Sequence, residues 1–425
     1  MNHILKKSFF ALLSTFLFFG CSTSDKDIDP SKYENVDMET VQLFAPDASL
    51  KGRRVDIPSA KSIGEWQSSG GNLSEIPQNV LIKSAVKLVN KRTHALNAKF
   101  NKDYSFVGNT PIISNGKLVV LGPRSTIYAY DLSNLNKLVW EISLGDTEED
   151  SFVGGGMFGT NGNLAVTHGS GSLTLLDLHT GKEKWQYKMN GISKTAPIIY
   201  KDRVFALTVD NKLYCLELTT GLLKWVNEGA AEQLGIIRSS SLVGHEDFVI
   251  VPYSVGQVYA VDISEGKPLW NLSLDDKFSS LGDLHTPIIN EDIAYISSFR
   301  GTLFALNLKT GNVEWGNHYA GGNPIWVAGD YIFVANKNSQ LAALEKTTGK
   351  VKWIQELPDD TVTLRPIIAN KELFVLSSEG KLLVFSPSTG KKVRENQVAV
   401  GRYASPIAIQ SGLYLLSAEG HLFVF

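Results

Sequence analysis

The sequence predicts an all-β fold, an eight-bladed β-propeller of four-stranded antiparallel blades, and three observations predict it. Trp140, Trp185, Trp225, Trp270, Trp315 and Trp353 recur at intervals of 45, 40, 45, 45 and 38 residues. Gly181, Gly221, Gly266, Gly311 and Gly349 each stand four residues before a member of that series. Between these marks the same order of strand-like runs and turn signals returns. A period near forty with short strands and regular turns is the signature of a propeller.

One copy, Ala196 to Trp225, serves for all. Pro197, Ile198 and Ile199 form a short inner strand that starts on proline, where a missing N–H is tolerated. Lys201 and Asp202 turn the chain. Arg203 to Leu207 is the second strand, and Asp210 and Asn211 the next turn. Lys212 to Leu218 alternates polar and apolar residues, as a half-buried strand does. Thr219, Thr220 and Gly221 lead into a fourth strand that carries Trp225. Glycine suits that turn because a hairpin of this length needs positive φ. In the first copy Asn136 holds the glycine's place and is expected to adopt the same left-handed backbone.

The order recurs from Pro111, from Gly156, around Ser241, and from Pro287, Pro324 and Pro366, which makes seven complete copies. An eighth begins at Pro406 and runs through its third strand, "GHLFVF". Its fourth strand is expected from Ala95 to Phe100, so that the two termini share a sheet and close the ring. The tryptophans are expected to plug neighbouring blades together, since an element repeated in every blade is architecture. Arg394 replaces the tryptophan in the seventh copy, which predicts one blade interface packed differently.

The chain has 425 residues, 43% hydrophobic and 20% charged, with a net charge of −2. Near-neutral charge without a basic cluster argues against a nucleic-acid partner. The first 21 residues read as a signal peptide: Lys6 and Lys7 precede the apolar run Ser8 to Gly20. Residues 22–60 are polar and turn-rich and read as a flexible tether, and residues 61–425 as the propeller. Cys215, the one other cysteine besides Cys21, sits on an inferred strand as a buried thiol. The eight histidines are dispersed with no zinc-ligand spacing, so neither a metal nor a cofactor is expected. Asp131, Asp177 and Asp262 recur at the end of the third strand, a regularity that points to turn chemistry and away from a single ion site.

The repeat "GTLFALNLKTGNVEW" (Gly301 to Trp315) is similar to the pyrroloquinoline-quinone-type propeller repeat, and "FFGCS" resembles the lipobox of bacterial lipoproteins. Lipobox, tether, "EWQSSGGN" (Glu65 to Asn72) and the repeats together resemble the BamB family of outer-membrane β-barrel assembly lipoproteins. That resemblance implies a lipid on Cys21 and placement at the periplasmic face of the outer membrane. It implies no catalysis, and a scaffold that binds the POTRA domains of BamA alongside other assembly lipoproteins and unfolded outer-membrane proteins.

The same resemblance implies a partner surface on inter-blade loops, carried over to Ile236, Ile237 and Arg238 and to Asp283 and His285. The family's second loop usually has two acids, where this chain has Asp283 and a histidine. The isoleucines have an alternative reading, as the inward-pointing start of the fourth blade. Two other functions are compatible with a propeller of this repeat. A quinone-dependent dehydrogenase would need a clustered ion site and often adjacent cysteines, and the sequence has no adjacent cysteines. A glycan- or peptide-binding module would use the channel mouth, where His168, Arg300 and Lys337 follow second strands.

Overall fold

A computed structural model describes residues 44–68, 78–83, 110–122, 125–145, 155–168, 170–193, 195–229, 241–254, 256–274, 284–299, 301–318, 320–358, 364–377, 380–398 and 403–425, with the backbone of 92–95. Eight antiparallel four-stranded sheets stand in chain order. The blades span residues 112–143, 156–188, 198–228, 243–273, 288–317, 326–356, 367–397 and 407–424. Blade 3 is typical, with strands Ile198–Tyr200, Arg203–Leu207, Lys212–Glu217 and Leu223–Glu228. First strands of successive blades approach one another, which makes them the innermost. The central strands are buried on both faces, with side chains such as Phe205, Phe304, Phe333 and Phe374 filling the spaces between blades.

The eighth blade closes as a shared sheet, with a shifted strand. Arg92–Ala95 pairs antiparallel with His421–Val424, Arg92 opposite Val424 and Ala95 opposite His421. Ala95 is thus the end of the closing strand and not its beginning; residues 96–100 lie outside the described residues. Closure removes the open edges that a linear array of sheets would leave.

Each tryptophan docks on the following blade. The indole N–H of Trp185 donates to the Leu218 carbonyl at 2.9 Å, and Trp140, Trp225, Trp270, Trp315 and Trp353 repeat the bond one blade on. In blade 3 Trp225 lies opposite Cys215, and a β-bulge at Lys224 stands directly before it. The same bulge, one residue before the tryptophan, recurs in each of those blades and re-aims the ring. Cys215 is fully buried there, and burial pushes its thiol up to about 12.

The recurrent glycine has a second duty beyond its turn. Gly221 has φ +71°, and a Cβ there would lie 2.6 Å from the ring of Trp185, the preceding blade's tryptophan. Gly181, Gly266, Gly311, Gly349 and Gly390 receive the preceding tryptophan in the same way. This explains three irregularities with one cause. Blade 8 takes its outer strand from Arg92–Ala95, so no third-to-fourth hairpin leads into it and it offers no glycine cradle. Arg394 at the end of blade 7 accordingly turns back and makes a bidentate ion pair with Glu372 of its own blade. Blade 8 also brings no tryptophan to blade 1, and no cradle forms there.

Asn136 therefore departs from expectation. It lies inside the strand Asn134–Ser143, outside the left-handed region, because blade 1 turns earlier, with Asp131 paired to Asn134.

Residues 44–60, expected as tether, lie on the propeller instead. Asp47 N–H donates to the Val351 carbonyl on the outer strand of blade 6, Leu50 and Val55 are buried, and Phe44 packs on the blade 5–6 core. Two apolar anchors and a backbone bond suffice to hold a segment whose composition is otherwise that of a linker. Residues Phe44–Phe425 form one compact unit. The signal segment and Cys21 lie outside the described residues, as does Arg300.

Candidate functional site

Inside the ring the chain pairs with its own inner strands on one side. The first strand of a blade leaves alternate N–H and C=O groups facing inward, because its outer side alone pairs with the second strand. Residues 61–68 and 78–83 take up those groups. Trp66 N–H donates to the Ile113 carbonyl at 2.6 Å and Ile113 N–H returns a bond at 2.8 Å, joining the segment to blade 1. Gly159 N–H of blade 2 donates to the Gln67 carbonyl at 3.0 Å. Val80 bonds Ile368 and Asn370 of blade 7, and Ile63 and Lys83 bond Gln410 of blade 8. The Trp326 indole of blade 6 donates to the Gln78 carbonyl at 2.9 Å.

Trp66 and Trp326 stack, with ring centroids 6.5 Å apart and planes 10° from parallel. Both are buried, with Val80 and Ile82 beside them in one cluster. Six of the eight tryptophans keep the blade register; the two that do not are this pair. That was the signal in the sequence for an axial element, and repeat-matching passes over it.

The two ends of the ring differ. One carries the first-to-second and third-to-fourth hairpins. The other carries the second-to-third turns and the ends of the fourth and first strands, where His285 lies. Ile236, Ile237, Arg238 and Asp283 lie outside the described residues. His285 is described and is 8% exposed. Its backbone N–H donates to the Ser297 carbonyl at 2.7 Å, its Nε2 lies 3.3 Å from the Gly322 carbonyl, and its ring packs on Phe299. It thus ties blade 5 to the connection that leads into blade 6. His168 is buried with Nδ1 2.9 Å from the Ser170 hydroxyl. Lys337 lays its aliphatic stem against Gly301.

The recurrent aspartates cap turns. Asp177 accepts from the N–H groups of His179 and Thr180 and from the Thr180 hydroxyl, and Asp131 and Asp262 hold Ser133 and Ser264 likewise. The hydroxyl bonds from Ser133, Thr180 and Ser264 hold the three carboxyls below the ordinary value of 3.8. A depressed folded pKa stabilises above the unfolded value, and that gain is lost as pH falls through the folded one. Urea melts are therefore expected to shift to lower midpoints as pH drops from about 5 to about 2, with a shallower dependence in the triple Asp→Asn variant.

One trio is assembled that the sequence did not suggest. His245 and Glu246 in blade 4 and Asp292 in blade 5 bring their ligand-type atoms within 4.8 Å of one another. Asp292 is already paired with Lys309, so the carboxylate is neutralised within its own blade. Among the described residues no helix is long and apolar enough to cross a membrane.

Comparison with known proteins places this architecture. A family profile described as outer membrane protein assembly factor BamB matches residues 123–355. An uncharacterized protein of Rickettsia conorii is 32% identical over 285 residues, 64% of this chain and 69% of its own. The outer membrane protein assembly factor BamB of Shewanella oneidensis is 24% identical over 331 residues, 74% of this chain and 83% of its own. The crystal structure of BamB from Moraxella catarrhalis superposes with a TM-score of 0.64 at 18% identity, covering 73% of this chain and 94% of that one. A europium-containing methanol dehydrogenase gives 0.67 at 12% identity, covering 83% and 89%. Structural likeness at such identities speaks for the propeller alone.

Proposed function

Because the chain belongs to the BamB family of outer membrane protein assembly factors, we propose that it is a non-catalytic scaffold in the assembly of outer-membrane β-barrels. In this reading Cys21 carries the lipid, the propeller stands at the periplasmic face of the outer membrane, and its docking partner is the POTRA region of BamA. The chain's own pairing along the inner strands of blades 1, 2, 7 and 8 is the observation that supports the non-catalytic part. Trp66, Trp326, Val80 and Ile82 pack together as buried apolar side chains against those inner strands, an arrangement suited to core packing more than to holding a polar cofactor. Asp131, Asp177 and Asp262, which an ion-dependent dehydrogenase would have to gather, are spent on separate turns.

Docking is assigned to the connections around Ile236, Ile237, Arg238 and Asp283, with His285 fixing the base of the second. Two isoleucines beside an arginine have the composition of an interface hot spot, apolar anchors with a charge-assisted donor. Clients fit a different surface. The outer strand of blade 3 exposes Leu223 at 41% and Val226 at 38%, with Leu222 at 63% just before it, and blade 4 adds Leu269 at 56%. An edge strand with exposed apolar side chains can extend its sheet with an incoming β-segment of varied sequence.

The test is purification of the tagged full-length protein from its own membranes in mild detergent, with Arg238→Glu in parallel. Reversing a hot-spot charge is expected to weaken docking by about 2 kcal/mol or more, roughly thirtyfold, and so to remove the BamA partner from the eluate. Recovery of the partner with both proteins moves the docking site elsewhere. Recovery with neither removes the assembly reading.

A further inference from the structure

We infer that His245, Glu246 and Asp292 form a binding site for one divalent transition-metal ion of the zinc class, set across blades 4 and 5. All three stand at first-to-second hairpins, at the end of the ring opposite His285. His245 opens the blade 4 hairpin opposite Phe248, with Glu246 as its first turn residue. Asp292 is the second turn residue of blade 5, between Asn290 and Ile293. The ligand-type atoms of the three lie within 4.8 Å of one another. The sequence has no zinc-ligand spacing here because the third donor comes from the next blade. The backbone beneath the trio is fixed. The His245 ring packs edge-on against Phe248, with centroids 5.4 Å apart. The Asp247 carbonyl accepts from Ile263 N–H at 2.9 Å and the Asp292 carbonyl from Leu308 N–H at 2.8 Å, so each hairpin is tied to its own blade's third-to-fourth turn.

The donors select the ion. One imidazole nitrogen with two carboxylates suits zinc and its neighbours, whereas calcium and magnesium take oxygen donors. With the imidazole neutral, as a ligand must be, Glu246 and Asp292 set two negative charges against the one ammonium of Lys309. Lys309 Nζ lies 2.5 Å from Asp292 Oδ2. The hydrogen bond from Asp292 raises Lys309 above its ordinary value, and the charge of Glu246 adds to it. A cation thus already sits at both carboxylates, and it leaves one negative charge over. It is a weak occupant, because the lysine side chain is 66% exposed and exposed ion pairs contribute little. A dication matches the two carboxylates where one ammonium does not. Tetrahedral zinc with donors at about 2.0–2.2 Å sets them roughly 3.3–3.6 Å apart. Glu246 is exposed, so rotation of its side chain can draw the trio in, and the fourth position falls to water.

The probe is Zn²⁺ alone, titrated calorimetrically into the full-length protein in detergent after removal of its affinity tag. One ion per chain is expected to bind saturably and to raise the melting temperature, and Ca²⁺ is expected to do neither. His245→Ala and Glu246→Gln each take away a donor and are expected to weaken binding about tenfold or more. Lys309→Ala is expected to bind about threefold tighter, because the ion no longer competes with the ammonium. Glu246→Gln and Lys309→Ala alter exposed side chains, and they decide the matter if thermal melts show that His245→Ala does not fold. Absence of saturable binding to the wild type overturns the proposal. So does an affinity unchanged in Glu246→Gln, which puts the ion elsewhere. Weaker binding in Lys309→Ala overturns it too, because the ammonium is then part of what holds the trio together and not the ion's competitor.

Discussion

Trp66→Ala is expected to lower the free energy of unfolding by about 3–5 kcal/mol, the range for removing a large aromatic from a packed core. The ring is 1% exposed and stacks on Trp326, and its backbone bonds tie the axial segment to blade 1. The loss should exceed what area alone gives, because the void cannot collapse. Its walls are the inner strands of a closed ring, and a closed ring resists contraction. Trp66→Phe is expected to recover most of the stability, since it keeps the stack and loses no donated indole bond. The measurement is chemical denaturation followed by Trp fluorescence, with the double variant Trp66→Ala/Trp326→Ala as the cycle. If the two losses simply add, the stack contributes nothing of its own.

That residue also marks what was legible in the sequence. Blade count, strand order and the role of the register tryptophans follow from local signals: a period, a turn glycine, alternation along the third strand. Each needs only a few neighbouring residues to be read. The axial segment is held by single backbone bonds to residues far along the chain, such as Trp66 to Ile113 and Val80 to Ile368, and has no period of its own. Composition alone therefore leaves residues 44–60 as tether, although Leu50 and Val55 are buried. Asn136 was misread for a related reason. Its place in the motif matched the glycine's, but the feature that demands glycine is the tryptophan of the preceding blade, which blade 8 does not supply. The partner residues Ile236, Ile237, Arg238 and Asp283 stand outside the described residues, and their assignment still rests on resemblance and composition. His285 alone is placed, as a buried link within the fold.

Gly221→Ala is expected to be nearly as damaging as loss of a core aromatic, though it adds a single carbon. Two costs act together. The residue sits at φ +71°, a conformation that disfavours any Cβ by about 1–2 kcal/mol. The added carbon would also stand 2.6 Å from Cδ2 and 2.8 Å from Cγ of Trp185. Neither partner yields cheaply: the hairpin is fixed by Gly221 N–H on the Glu217 carbonyl, and the indole by its bond to Leu218. Either the ring leaves its cradle and gives up that bond, or blades 2 and 3 separate. Together the expected loss is about 3 kcal/mol, in the range reserved for strain combined with overpacking. The control is Asn136→Ala, at the matching motif position of blade 1, where the backbone is extended and no tryptophan arrives; it is expected to change stability by less than about 0.5 kcal/mol. Equal effects at the two positions would show that neither the positive φ nor the arriving tryptophan sets the demand. A large loss at Gly221, accompanied by red-shifted Trp185 emission, assigns the demand to the blade interface, and with it the reason the glycine recurs wherever a tryptophan precedes it.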